Sequence, residues 1–133
     1  MVRYLLDTNV LSDVIRDPQG SVAQRLAEHA EADLFTSIIV ACELRYGAAK
    51  RGSPALTQRI DQLLTSLEVA ALEPGIDEAY GRIRADLERQ GRPVGANDLL
   101  IAAHAVATEA ILVTHNVDEF RRISGLKVED WLG

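Results

Sequence analysis

Short apolar segments alternate with helix-length segments along this chain, and that alternation restricts the possible folds most strongly. The apolar segments predict buried strands at 2–6, 33–37, 67–72, 110–114 and 126–131. The intervening patterns predict helices at 8–16, 21–29, 38–51, 54–66, 75–90 and 97–107. Strands separated by helices of this length form parallel sheets with right-handed crossovers. We therefore predict an α/β fold, a three-layer α/β/α sandwich with a central parallel sheet of about five strands, in a single domain spanning 1–133.

Capping and breaking residues set the predicted ends of the helices. Ser21 is expected to cap the second helix, and Ser37 to cap the third, which ends at Gly52. Pro54 favours the start of the fourth helix, and Gly91 closes the fifth.

The composition excludes several classes of protein. Cys42 is the single cysteine, so an internal disulfide and every multi-cysteine metal site are excluded. No apolar stretch has the length of a membrane span, and the first residues lack the pattern of a signal peptide. These features predict a soluble cytoplasmic protein.

The net charge of −6 argues against indiscriminate binding of nucleic acid. Twelve of the 14 basic residues are nonetheless arginine, a side chain that binds phosphate with two parallel hydrogen bonds. Several are close in sequence and are candidates for phosphate binding; together with one lysine they are Arg45, Lys50, Arg51, Arg82, Arg84, Arg89, Arg92, Arg121 and Arg122. The alternative is a solvated helix face balanced by neighbouring acidic residues.

Polar residues stand directly after two of the predicted strands. Asp7 follows the first strand, and Thr114, His115 and Asn116 lie at the end of the fourth. Side chains just beyond the carboxyl ends of parallel strands point into a crevice where ligands bind. Asp98 at the start of a buried helix and Glu43 on an apolar helix face are two further acidic residues in apolar surroundings.

Each of these polar residues also has a purely structural interpretation. Asp98 and Asp7 are suitable helix caps, although Asn97, Thr8 and Asn9 compete for that position, and Glu43 can point to solvent. Asn116 suits a turn. A further polar residue, His104, lies in an apolar helix and is expected to be a satisfied core histidine rather than a ligand.

Taken together, the acidic residues predict a metal site. Carboxylates gathered in a partly buried crevice repel one another unless a cation neutralises them, and ligands that are all oxygen suit Mg²⁺ or Mn²⁺. Metal-assisted hydrolysis of a phosphodiester is the reaction class that follows. We expect Asp7, Asp98 and Glu43 to hold the metal or orient water, and Asn116 to hold water or a phosphate oxygen. Thr8, Ser37 and Thr114 are expected to orient the carboxylates.

Four segments resemble the PIN-domain ribonuclease toxins of VapC type over nearly the whole chain: "LLDTNVLSD", "ACELRYGA", "GRPVGANDLLIAAHA" and "LVTHNVDEFRRISGLKVEDW". The resemblance implies a homodimeric α/β/α nuclease that cleaves RNA with Mg²⁺ or Mn²⁺ and is inhibited by a VapB-type antitoxin. It maps the acidic site onto Asp7, Glu43 and Asp98, with Asn116 at a fourth position that is Asp in many relatives. His115 replaces a residue that is often Asn.

The resemblance also indicates the substrate and the partner surface. Similar toxins cut transfer RNA or ribosomal RNA, and we favour transfer RNA. An antitoxin could insert an arginine among the carboxylates. The apolar groove beside them is expected to have walls from the helix at Pro54 and from Ile39, Leu44, Tyr46 and Ala48.

Two alternatives come from other functional classes. A flavodoxin-like signalling or binding module, such as a phosphoacceptor receiver, requires an acidic doublet after the first strand, where this chain has Asp7, Thr8 and Asn9. A flap-type DNA nuclease shares the acidic chemistry but normally carries long insertions that 133 residues do not accommodate.

Overall fold

The computed structural model describes residues 2–132. The strands are β1 (Tyr4–Leu6), β2 (Leu34–Ser37), β3 (Glu68–Ala70), β4 (Ile111–Val113) and β5 (Lys127–Glu129). The helices are α1 (Thr8–Arg16), α2 (Ser21–Ala27), α3 (Ile38–Arg51), α4 (Pro54–Ser66), α5 (Ile76–Arg89), α6 (Ala96–Ala107) and α7 (Val117–Phe120). A 3₁₀ turn at Glu31–Asp33 precedes β2.

All five strands are parallel and form one sheet in the order β3-β2-β1-β4-β5. Leu5 of the central strand is paired with Phe35 on one side and Leu112 on the other. Right-handed crossovers place α1–α4 on one face of this sheet and α5–α7 on the other. The predicted three-layer α/β fold with five parallel strands is confirmed.

The order of the strands identifies where a ligand binds. The chain moves outward from β1 through β2 to β3, then returns to the other side of β1 as β4. A crevice forms at such a reversal, outside the carboxyl ends of the strands. Flavodoxin-like sheets have the order 2-1-3-4-5 instead, so the flavodoxin-like alternative is wrong for this chain.

The core explains why the strands are so apolar. Leu5, Leu6 and Leu112 are at most 1% exposed because helices cover both faces of the sheet. On one of these faces lies α6, whose residues Ile101–Ala105 are all buried. No helix within 2–132 combines the length and apolar character needed to cross a membrane.

The predicted bounds of α1, α3 and α4 are confirmed, and the other predicted elements differ from the observed ones by at most two residues at either end. The Ser37 hydroxyl caps α3 by accepting a hydrogen bond from the Ile39 N–H at 3.1 Å, and α3 stops at Gly52, where φ is 63°. Pro54 opens α4 as expected. The role of Ser21 is corrected: Gly20 occupies the N-cap of α2, and the Ser21 hydroxyl donates to the carbonyl oxygen of Leu132 at 2.9 Å. The sequence did not predict α7.

Candidate active site

Four residues predicted from separate segments line one open cavity at the crevice beside β1. These are Asp7, Glu43, Asp98 and Asn116, and the cavity has a volume of about 360 Å³. Its other lining residues are Thr8, Asn9, Ser12 and Arg16. We call this cavity the acidic pocket. The fold thus brings the end of β1, the middle of α3, the start of α6 and the turn after β4 to one place.

Asp7 serves two purposes at the end of β1. It is the N-cap of α1, and its Oδ1 accepts a hydrogen bond from the Thr8 N–H at 2.8 Å. Its Oδ2 accepts a hydrogen bond from the Thr114 hydroxyl at 2.7 Å. The side chain is only 4% exposed in a chain whose other buried residues are nearly all apolar. Capping therefore holds Asp7 in a fixed orientation at the pocket wall.

Glu43 points into the acidic pocket and not to solvent, so its solvent-facing interpretation is wrong. One carboxylate oxygen accepts a hydrogen bond from the Thr8 hydroxyl. The other oxygen lies 3.5 Å from the Asn97 amide nitrogen, a weak hydrogen bond across from α6. Thr8 and Thr114 therefore each donate a hydrogen bond to one carboxylate of the pocket.

Asp98 does not cap α6, because Gly95 occupies the N-cap and Asp98 lies in the first helical turn. Its side chain is half-buried and lies close enough to Glu119 for the two carboxylates to repel each other. The N-terminal end of the helix dipole favours negative charge at this position. The helix α6 therefore places Asp98 at the pocket, and its carboxylate does not serve as the helix cap.

Glu119 is a fourth carboxylate near the pocket, and it was not predicted from the sequence. Glu119 lies on α7 and accepts hydrogen bonds from the Asn116 side-chain amide and, at 3.4 Å, from the Gly95 N–H. The available signal was its spacing, because Glu119 follows Asn116 by three residues and falls one helical turn beyond the end of β4. Asn116 is thereby tied to an acidic neighbour.

Burial and mutual repulsion make the carboxylates resist ionisation. Burial raises the pKa of Asp98 to about 7, and the neighbouring charges of Glu119, Asp7 and Glu43 add to the effect. Burial also raises the pKa of Asp7 above its ordinary value, although the hydrogen bonds from Thr114 and Thr8 oppose that shift. The pocket carries negative charge that no side chain within it fully neutralises.

The donor set of the acidic pocket fits a small hard cation. Every candidate ligand offers oxygen. The raised pKa values of Asp7 and Asp98 mean that their charged forms are disfavoured, and a bound cation would stabilise those charged forms. Within residues 2–132, no three His, Cys, Asp or Glu side chains are already arranged as a metal site. In this arrangement Glu43 accepts a hydrogen bond from the Thr8 hydroxyl, and Asp7 accepts one from the Thr114 hydroxyl.

Ser37 does not orient a carboxylate, which corrects its predicted role. Its hydroxyl lies 2.8 Å from the His104 Nδ1, and both side chains are buried below the pocket. His104 is therefore the satisfied core histidine that the sequence predicted.

His115 lies between two acidic residues behind the pocket. Its Nδ1 is 3.1 Å from the Asp130 Oδ1, and its Nε2 is 3.5 Å from the Asp13 Oδ2. Its backbone N–H donates to the Asn9 side chain at 3.3 Å. These contacts join the turn after β4 to α1 and to the end of β5.

A second, larger cavity of about 570 Å³ adjoins the acidic pocket between α1, α3 and α4. We call it the apolar groove; its apolar walls are Ile15, Leu44, Ala48, Leu56 and Ile60. The predicted walls Leu44, Ala48 and α4 are present. Ile39 and Tyr46 are not among the lining residues, and Tyr46 is 66% exposed. Thr8, Ser12, Arg16 and Glu43 line both cavities, so the two are continuous.

Several of the arginines proposed for phosphate binding already have acidic partners. Arg84 pairs with Glu88 at 3.0 Å, Arg89 with Asp86 at 3.7 Å, and Arg45 with Asp61 at 2.7 Å. These three arginines therefore lie on solvated helix faces and are balanced by neighbouring acidic residues, which was the alternative to phosphate binding. Lys50 and Arg51 lie at the apolar groove.

Comparisons with known proteins agree with this geometry. The family model described as "PIN domain" matches residues 4–126. The tRNA(fMet)-specific endonuclease VapC of Shigella flexneri is 36% identical over 132 residues, covering 98% of this chain and 99% of the relative. The ribonuclease VapC2 of Haemophilus influenzae is 37% identical over 133 residues, covering 99% and 100%.

Solved structures of toxin–antitoxin complexes also match this chain. The VapBC2 complex of Rickettsia felis, bound to a DNA fragment from its promoter, matches with a TM-score of 0.89 at 36% identity, covering 98% of this chain and 99% of that one. The VapBC-1 complex of nontypeable Haemophilus influenzae matches with a TM-score of 0.87 at 36% identity over the full length of both chains. The chain therefore belongs to the PIN-domain family and, within it, to the VapC-type ribonuclease toxins.

Proposed function

We propose that this toxin hydrolyses RNA phosphodiester bonds at the acidic pocket with a divalent cation, Mg²⁺ or Mn²⁺, and that transfer RNA is its substrate. The observation that carries the proposal is the meeting of Asp7, Glu43, Asp98 and Asn116 in one pocket. Support for transfer RNA comes from the Shigella flexneri relative, whose name specifies tRNA(fMet).

The residues of the pocket have separate roles in this mechanism. Asp7, Asp98 and Glu43 would hold the cation, which when bound supplies water activation and neutralises charge developing on the phosphate. Glu43 also accepts a hydrogen bond from the attacking water, and the Asn116 amide donates to a phosphate oxygen. The hydroxyls of Thr8 and Thr114 keep the carboxylates of Glu43 and Asp7 in orientation.

A cleavage assay tests this function. Purified protein is incubated with initiator transfer RNA, ribosomal RNA and flapped DNA, with Mg²⁺ and with excess EDTA. The matched variants are Asp7→Asn, inside the pocket, and Asp61→Asn, an exposed aspartate on α4 that pairs with Arg45.

We expect wild type and Asp61→Asn to cut transfer RNA in Mg²⁺ only, and Asp7→Asn to be inactive. Cleavage that survives both EDTA and Asp7→Asn would dismiss the metal assignment, and preferential cutting of flapped DNA would favour the DNA-nuclease alternative.

We further propose that a VapB-like antitoxin inhibits this protein by covering the apolar groove and placing a basic side chain in the acidic pocket. The two cavities are continuous, so one ligand can occupy both. The VapBC complexes of relatives support a partner of this kind. Complementary charge at the pocket would give the complex its orientation.

Two glycines allow a matched test of the groove. A Cβ at Gly47, in the groove wall, and one at Gly81, on α5, each meet no atom within 4 Å. Gly47→Arg should fill the groove and relieve inhibition by the product of the neighbouring open reading frame, whereas Gly81→Arg should stay inhibited. Equal inhibition of both variants would show that the antitoxin does not bind in the apolar groove.

The family resemblance also leads us to propose a homodimer. Light scattering on the purified protein should give about twice the mass of 14.5 kDa. A monomer at all tested concentrations would contradict this assembly.

A further inference from the structure

Arg16 occupies an unusual place at the rim of the acidic pocket. Among the described residues that line the pocket, it is the one with a basic side chain, and it also lines the apolar groove. It is the last residue of α1 and is exposed. A cation therefore stands at the boundary between a cluster of carboxylates and an open surface.

The geometry of α1 directs this side chain toward the site. Thr8, Ser12 and Arg16 are spaced four residues apart, so they lie on one face of the helix. The distance from Thr8 to Arg16 along the helix axis is about 12 Å. Helical side chains lean toward the N-terminus, which is consistent with Arg16 lining the pocket together with Thr8 and Ser12.

The Arg16 guanidinium is not engaged by any carboxylate among the described residues. Within residues 2–132 it makes no ion pair and no side-chain hydrogen bond, although three carboxylates line the same pocket. Arg45, Arg84 and Arg89, by contrast, each pair with an acidic neighbour. Its five N–H donors are available to an external ligand and match the oxygens of a phosphate.

An RNA strand needs a cation at this position. The protein carries a net charge of −6, and the pocket itself is acidic, so a polyanion is repelled on approach. A basic side chain at the rim offsets that repulsion next to the reacting phosphate, where the carboxylates are close together.

We propose that Arg16 binds a phosphate of the RNA strand that flanks the scissile phosphate, and thereby positions the strand across the acidic pocket. The inference rests on the proposed ribonuclease function and adds a substrate-binding residue to it. Arg16 takes no part in bond breaking, so its loss should weaken binding of substrate without changing the chemical step.

Kinetics and salt dependence test the proposal together. Initiator transfer RNA is the probe, and the variants are Arg16→Gln, Arg16→Lys and the control Arg59→Gln. Arg59 is exposed on α4 and lines neither cavity, so its removal lowers the net charge equally. Binding is measured separately in EDTA, in an Asp7→Asn background, over a series of salt concentrations. Melting temperatures confirm that each variant folds.

For Arg16→Gln we expect KM to rise about 10-fold to 100-fold with kcat within about twofold of wild type, as the loss of a charged hydrogen bond implies. The slope of log K against log salt should become less steep by about 0.7, the value for one phosphate contact to a single strand. Arg16→Lys should keep the wild-type salt slope and recover part of the affinity. Lysine retains the positive charge but lacks the planar guanidinium that makes two parallel hydrogen bonds to phosphate.

Equal KM and equal salt slopes for Arg16→Gln and Arg59→Gln would overturn the inference. If Arg16→Gln weakens only inhibition by the antitoxin, Arg16 binds an antitoxin carboxylate and the inference also fails. Neither result affects the proposed function, which fails instead if the wild-type protein cleaves none of the RNAs.

Discussion

The acidic pocket and the His104–Ser37 pair are two buried polar groups with opposite electrostatic surroundings. In the pocket, Asp7 and Asp98 face further carboxylates, and each has a raised pKa. Below it, His104 is 1% exposed and meets one neutral partner, the Ser37 hydroxyl at 2.8 Å. Burial lowers the pKa of His104 and so favours the neutral ring, with the charge of Glu73 opposing the shift.

The difference indicates which buried polar group serves the fold and which serves a ligand. The His104–Ser37 pair is satisfied internally, so a fold can retain it at little cost. The acidic pocket costs stability unless something from outside neutralises it, which is typical of a site selected for function. Substitutions in the two regions should therefore have opposite effects on stability and on activity.

Asp98→Asn should produce the largest effect, a loss of RNA cleavage by about 10³-fold, the scale of losing a group that stabilises charge in the transition state. The unfolding free energy should be unchanged or higher, because the variant removes a repelled carboxylate. Initial cleavage rates and chemical denaturation measure the two quantities. A clear loss of stability together with activity would give Asp98 a structural role.

His104→Ala should show the reverse pattern. The variant leaves a cavity in the core and removes one of the two partners of the Ser37 hydroxyl, so it should lower the unfolding free energy by about 2–4 kcal/mol. The folded fraction should cleave RNA at the wild-type rate, because His104 touches no pocket carboxylate. A rate loss in fully folded protein would show that the two regions are coupled.

The pH dependence of stability should differ between Asp98→Asn and wild type in metal-free buffer. The pKa of Asp98 is about 7 in the folded state and ordinarily 3.8. The folded state therefore binds the extra proton between about pH 4 and 7, and wild-type stability falls as the pH rises through that range. The stability advantage of Asp98→Asn should be larger at pH 8 than at pH 4.5. An advantage that does not change with pH would mean that Asp98 ionises normally.

His104 should give a smaller pH effect of the opposite sign. Because its pKa is lowered from the ordinary 6.5, the unfolded state binds more protons in mildly acidic solution. Wild-type stability should therefore fall as the pH drops below about 6.5, and His104→Gln should lose that component. Denaturation midpoints between pH 5 and 8 measure it, and parallel pH curves would refute it.

The features of the site that follow local rules of chain geometry were predictable from the sequence. Asp7 and Asn116 could be located because parallel strands end at the same edge, and Ser37 because its hydroxyl can cap a following helix. For Glu119 the spacing from Asn116 was too weak a signal, because a helix as short as α7 has no periodic pattern and only tertiary packing brings Glu119 to Asp98.

The walls of the apolar groove could be predicted only in part from the sequence. Apolar residues occur all around α3, so the sequence does not show which of them face a cavity. Leu44 and Ala48 do face it, whereas Tyr46 projects outward. The partner of Ser37 was also beyond prediction, since His104 is 67 residues away along the chain.

The most direct test of the central claim is the thermal unfolding of wild type and Asp7→Asn with increasing Mg²⁺. Binding to the folded state alone stabilises a protein by mass action, about 2.7 kcal/mol at 100 times Kd. If the carboxylates of the acidic pocket hold the cation, Mg²⁺ raises the melting temperature of wild type by several degrees and leaves Asp7→Asn nearly unchanged. Equal shifts in the two proteins, or no shift in wild type, would contradict the claim.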